Sequence, residues 1–269
     1  MSLIGAKFLQ KEGWILLKNR DQNIKPNIRI RKSQRKNIER LYLWDDLTSF
    51  TEGINEFGVA IISAISNDDI QIAKDNLKKR KGELSTNIKK FYSPDGLSIR
   101  KALFEKSARK AVKKLVEFSV VGTIIVADFN ECFVLESTLE NNNYSYDINQ
   151  IPNGTVVVKS TDEINEKSQK KIKKLVKLLN FAKDFESVLD VFSTKNNIDS
   201  ELNPLIFSKV KNAIKTTAQI ILCPLEKTLH FRPIWANSVY NIEMLNTIEG
   251  KTFFELVSTR KLISFREKI

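Results

Sequence analysis

The chain predicts an α+β fold. Three observations carry that reading. Short segments alternate apolar and charged residues with period two, as in IRIRK at 28–32. Apolar residues recur at three- and four-residue spacing between 98 and 118, and again between 162 and 192. Short β-branched runs crowd the C-terminal part, as in QIILC at 219–223. The expected architecture is helices with basic faces beside a mainly antiparallel sheet near the C-terminus.

Taken in order, Leu3, Ile4, Phe8 and Leu9 suggest a short first helix, stopped at Gly13. WILLKN (14–19) reads as strand or turn. Residues 28–32 form a half-exposed strand, and its charges also suit an edge strand protected against pairing. The stretch from Asn37 starts as strand and becomes helix, with Asp46 or Thr48 as cap. Residues 65–91 read as helix, and SPDG (93–96) as a turn. A helix spans Ser98 to Phe118, with Ser98 as its N-cap. SVVGTIIVAD and CFVLEST are two strands joined by FNE. Helix followed by strand pair resembles the element order of a winged-helix unit.

ENNNYSYDINQIPNG (140–154) is polar and closes on a turn signal. It predicts a linker at 141–153 between a first subdomain, 1–140, and a second, 154–269. Beyond it come a strand (155–160), a long amphipathic helix broken near Lys183, a helix from Pro204, and closing strands.

Charge is segregated. Residues 1–41 hold 11 basic and 3 acidic side chains, and residues 77–116 hold 13 and 3. Residues 126–166 hold 1 basic and 8 acidic. The net charge is +12. Such a balance suits an anionic partner.

Signatures of chemistry are scarce. His230 is the single histidine, and its strand-like setting makes it structural. Cys132 and Cys223 sit in apolar runs and read as buried, unpaired thiols, which fits a reducing cytoplasm. Neither a glycine-rich phosphate loop nor a Gly-x-Ser-x-Gly elbow occurs. Asp45–Asp46 reads as a cap plus an exposed acid before it reads as a Mg²⁺ site. In FRPIWANSVY, Phe231 and Trp235 read as core; Arg232, Trp235 and Tyr240 could also serve an interface or stack on bases. No apolar run reaches the length of a membrane helix.

These features predict a cytoplasmic, non-catalytic nucleic-acid-binding protein of a low-GC microbe, with no cofactor. DNA or RNA phosphates would meet Arg29, Arg31, Lys32, Arg35 and Lys36 on a strand. They would also meet Lys106, Arg109, Lys110, Lys113 and Lys114 on one helix, and Lys170, Lys173, Lys174 and Lys177 on another. Two alternatives stay open. One is a subunit whose charged blocks pair with a protein partner or with copies of itself. The other is a metal-dependent nuclease built on Glu243, Glu249 and Lys251.

Overall fold

The computed structural model describes residues 2–22, 28–35, 37–45, 50–66, 94–140, 143–161, 166–193, 215–233 and 240–243. The fold is α+β, as expected, and its sheets are antiparallel throughout the described pairings.

Chain order begins with β1 (Leu3–Leu9), β2 (Gly13–Gln22), β3 (Ile28–Arg35), β4 (Ile38–Asp45), β5 (Thr51–Asn55) and β6 (Ala60–Ala64). Helices α1 (Pro94–Ala102) and α2 (Ala108–Glu117) follow. Then come β7 (Thr123–Ala127), β8 (Cys132–Glu140), β9 (Asn143–Ile151) and β10 (Val156–Ser160). Helices α3 (Glu166–Phe181) and α4 (Phe185–Ser193) precede β11 (Lys215–Cys223), β12 (Thr228–Pro233) and β13 (Tyr240–Glu243).

Seven strands, β3 to β9, lie side by side in chain order. The other six form a sheet ordered β10-β1-β2-β11-β12-β13. The sheets pack face to face over one apolar core, with Ile4, Trp14, Leu16, Ile220 and Leu222 from the six-stranded sheet meeting Leu41, Leu43, Ile54, Ile62 and Ile125 from the seven-stranded one. The outer face of the seven-stranded sheet buries Ile61, Ile124, Val126 and Leu135 against Ile99, Leu103, Ala111 and Leu115 of the α1–α2 segment. The outer face of the six-stranded sheet buries Ile15, Leu17 and Val158 against Leu175, Leu179 and Val188 of α3 and α4. The result is four layers: helices, sheet, sheet, helices.

Several expectations need correction. Residues 3–9 are a strand. Both faces of β1 are buried, so its apolar run is nearly continuous, and periodicity cannot separate such a strand from a helix. Gly13 opens β2 at φ +69°, a left-handed conformation in which glycine carries no Cβ penalty. The stretch from Asn37 stays extended as β4, and β5 follows where a helix was expected.

Two helices, not one, span 94–117. The α1 helix starts at Pro94, where a turn was expected, using proline's fit to a first helical position. The start of α2 is fixed by Ser107, whose Oγ accepts from Lys110 N at 3.4 Å. Buried Asp128 adds a second cap, accepting from Ala108 N at 2.7 Å. The break near Lys183 is present: Asp184 accepts from Ser187 N at 2.8 Å and caps α4.

Residues 143–151 of the expected linker form β9, paired with β8 from Cys132↔Ile151 to Glu140↔Asn143. The β7–β8 pair lies inside the seven-stranded sheet rather than forming a wing. The helix expected at 65–91 lies outside the described residues from 67 onward. The one from Pro204 lies outside them up to 214, its expected last residues 215–218 being part of β11 instead. The closing strands beyond 243 also lie outside the described residues.

Candidate active site

β2 carries the feature that sets this sandwich apart. Its first half alternates ordinarily: Trp14 and Leu16 face the opposite sheet, Ile15 and Leu17 face the helices. The strand then continues as Lys18-Asn19-Arg20-Asp21, and all four residues are buried. Strand alternation gives Lys18 and Arg20 to the space between the sheets, and Asn19 and Asp21 to the helix side.

Buried charge is costly unless it is paired. The seven-stranded sheet supplies the partners. Asp45 ends β4 and Glu52 lies in β5, and both are fully buried. Arg20 donates to Asp45 Oδ2 at 2.8 Å and reaches Glu52 Oε2 at 3.5 Å. Lys18 pairs with the other Glu52 oxygen. Two cations thus meet two carboxylates, with the Phe50 ring 5.7 Å from the Arg20 guanidinium. Burial pushes the Lys18 ammonium below its usual range, and Glu52 opposes that shift.

Gly53 lets β5 sit close enough for this arrangement. A Cβ there would lie 2.5 Å from Leu41 O and 2.6 Å from Tyr42 Cβ.

On the helix side, Asn19 Oδ1 accepts from Gln219 Nε2 at 3.2 Å. Asp21 Oδ1 accepts from Thr216 Oγ1 at 2.6 Å. The β2–β11 register shifts between Thr216 and Ala218, and Thr217 Oγ1 there donates to Arg20 O at 2.9 Å. Bulges of this kind re-aim side chains beside active sites. Burial raises the Asp21 carboxyl to about 7, against the Thr216 hydrogen bond, the positive amino terminus, Lys171 and Lys18. A carboxyl placed there changes protonation near neutral pH.

Ser2 completes the cluster. Its N donates to Thr161 Oγ1 at 3.0 Å, and Thr161 N donates back to Ser2 O at 3.2 Å. Leu3 pairs with Asn19, so one step along the antiparallel register sets Ser2 opposite Arg20. Alternation along β1 gives Ser2 the face of Ile4 and Ala6, which is the face between the sheets. The Ser2 hydroxyl therefore shares the face of Arg20 and Lys18, while the Asp21 carboxyl, raised to about 7, lies on the other face of the same sheet.

Among the described residues, neither cysteine nor the histidine is poised as a nucleophile or base. Cys132 and Cys223 are buried, unpaired thiols held far above their usual range by desolvation. Burial lowers His230 to about 4, with its ring 4.9 Å from that of Phe185. Phe231 is core, as expected. Trp235 lies outside the described residues.

The basic residues expected to bind phosphate do not converge. Arg29, Arg31, Lys32 and Arg35 lie on β3, the edge strand of the seven-stranded sheet. There Lys32 pairs with Glu39 at 2.9 Å, and Arg31 stacks on Trp44 at 4.6 Å. Lys106 precedes α2, which carries Arg109, Lys110, Lys113 and Lys114 over the outer face of that sheet. Lys170, Lys173, Lys174 and Lys177 ride on α3, over the opposite outer face of the sandwich. Local acids engage several of them: Arg109 meets Glu131 at 2.5 Å, Lys114 meets Glu117 at 2.6 Å and Lys170 meets Glu166 at 2.7 Å. Lys36, Asp46, Glu249 and Lys251 lie outside the described residues, and Glu243 lies on β13. Asp45 is neither a cap nor an exposed acid but the buried partner of Arg20.

No family model and no curated sequence matches the chain. Solved structures do. A conjugated bile acid hydrolase from Clostridium perfringens, with its second residue changed from cysteine to alanine, aligns over 92% of this chain and 94% of its own. Identity is 13% and the TM-score 0.53. A second variant of that enzyme aligns over 91% and 93% at 12% identity and a TM-score of 0.51. Penicillin V acylase from Agrobacterium tumefaciens aligns over 91% and 86%, with 11% identity and a TM-score of 0.48. The chain has the fold of the bile acid hydrolase. That finding overturns the expectation of a non-catalytic DNA- or RNA-binding protein. Among the described residues, no helix is long and apolar enough to cross a membrane.

Proposed function

We propose that the chain hydrolyses an amide bond by acyl transfer through Ser2. The observation that carries this reading is the register that sets Ser2 opposite Arg20, on the face of the buried charge cluster. The shared hydrolase fold supports a catalytic role.

Such chemistry requires the bond between Met1 and Ser2 to be broken in the active protein. Ser2 then carries its own base, since an α-amine has a pKa of roughly 7.7–8.0 and takes up a proton near neutral pH. Ser2 Oγ attacks the amide carbonyl carbon while the α-amine takes the hydroxyl proton. The negative charge that develops on the carbonyl oxygen calls for a preorganised hydrogen-bond donor, a role this reading gives to the Arg20 guanidinium opposite Ser2. The α-amine passes its proton to the leaving nitrogen, the C–N bond breaks, and an ester to Ser2 remains. Water attacks that ester, again giving its proton to the α-amine. The acid leaves as Ser2 regains its hydrogen.

The test is hydrolysis of a panel of N-acyl amides, including a conjugated bile acid, followed by amine release. Ser2→Ala should remove turnover by at least about 10³-fold, while Ser2→Cys should keep part of it. Equal turnover in Ser2→Ala would remove the proposal.

A further inference from the structure

A second constellation lies at the far end of β11, roughly 20 Å along the strand from Thr216 at about 3.3 Å per residue. There the β11–β12 turn brings the Cys223 thiol, the Glu226 carboxylate and the His230 imidazole together, with one ligand atom of each within 4.8 Å of the others. Cys223 and His230 are buried and Glu226 is exposed. We infer that these three residues bind a divalent transition ion of zinc type, with water in the fourth tetrahedral position, at a site independent of the Ser2 cluster.

Donor chemistry supports that ion. Thiolate, imidazole and carboxylate are the three ligand types zinc accepts, at about 2.3, 2.0 and 2.0–2.2 Å. Tetrahedral angles with those bond lengths put ligand atoms about 3.5 Å apart. The cluster therefore has to contract by roughly 1 Å, which the exposed Glu226 side chain can absorb by rotation. A hard ion such as magnesium would not choose sulfur and nitrogen.

The surroundings also suit a bound ion. Thr228 pairs with Cys223 across the hairpin, and its Oγ1 lies 3.2 Å from His230 Nε2. This hydroxyl lies between the two buried donors, where an ion would displace it or keep it as an outer partner. The Phe185 ring of α4 packs against the imidazole, centroids 4.9 Å apart. Since β11 and β12 are neighbours in the six-stranded sheet, the ion would clamp the hairpin under α4. Binding forms the metal–sulfur bond and releases the Cys223 thiol proton to solvent, so metal uptake acidifies an unbuffered solution.

The probe is Co²⁺, titrated into the purified full chain and followed by optical absorption. The expected result is one equivalent bound, with a thiolate-to-cobalt charge-transfer band in the near ultraviolet and visible bands of tetrahedral intensity. Cys223→Ser should lose the ultraviolet band. Glu226→Gln, at an exposed turn that does not endanger folding, should weaken binding by more than the 10–100-fold typical of an outer-shell partner. Zn²⁺ should displace Co²⁺ and raise the melting temperature. A wild-type protein that develops no thiolate band with Co²⁺ would overturn the inference. So would a Glu226→Gln protein that binds as tightly as wild type. Neither outcome bears on Ser2, because amide hydrolysis is measured separately.

Discussion

Removing Asp45 should be among the most damaging single changes in the molecule. Its carboxylate is fully buried and lies 2.8 Å from an Arg20 nitrogen, which itself is fully buried. Charge centres about 4 Å apart interact by about 4 kcal/mol at an effective dielectric of 20. Breaking a buried pair from one side costs about 3–5 kcal/mol, because the remaining charge keeps its desolvation penalty. Glu52 cannot make up the loss, since it already faces both Lys18 and Arg20. Asp45→Ala should therefore lose about 3–5 kcal/mol, a large share of a typical stability of about 5–15 kcal/mol. Urea unfolding followed by circular dichroism reads this as a drop in midpoint at unchanged slope. The double change Asp45→Leu with Arg20→Met should recover most of that stability, yet not amide hydrolysis. A loss below about 1 kcal/mol for Asp45→Ala would refute the reasoning, since an exposed ion pair behaves that way.

Three more outcomes are expected from the same structure. Asp21 is raised to about 7 in the folded chain, so between its unfolded value and 7 the native state holds more protons than the unfolded one. Its contribution to stability therefore falls as pH rises from about 4 to 7, and Asp21→Asn should flatten that decline in urea midpoints measured across the range. Gly53→Ala puts a Cβ against the β4 backbone and should cost about 1–3 kcal/mol, read as a lower thermal midpoint. Lys110→Ala with Lys113→Ala, on the exposed face of α2, should leave both stability and amide hydrolysis at wild-type levels.

How far the fold was legible depended on how many neighbours each element needs. The strand from 28 shows because Ile28 and Ile30 alternate with Arg29 and Arg31, and β7 with β8 shows because both are apolar runs bounded by turns. The break in the helix near Lys183 shows because Asp184 can cap a new helix. β1 does not show, since a strand buried on both faces has no period to read. The 98–118 segment misleads because Ser98 and Ser107 are equally good caps by composition. Ser107 is selected by Asp128 on the β7–β8 turn, which accepts from Ala108 N 20 residues away.

The site was hidden for a related reason. Lys18 and Arg20 sit in plain view after the apolar WILL, and a charged run ending a buried strand is a signal in itself. Their partners Asp45 and Glu52 come from the other sheet, and nothing local to them announces it. Asp45 next to Asp46 resembles a helix start only while β4 is unpaired. The basic residues of α2 and α3 were legible as exposed faces. Only the layering shows that these two faces point to opposite sides of the sandwich.

Covalent labelling of Ser2 tests the central claim most directly. The purified protein is treated with an acylating β-lactone, digested, and its N-terminal peptide weighed and fragmented. The account predicts a peptide that begins at Ser2, carries one acyl group on the Ser2 oxygen, and is unlabelled in Ser2→Ala. A chain that keeps Met1 and takes no label, or a label that persists in Ser2→Ala, would contradict it.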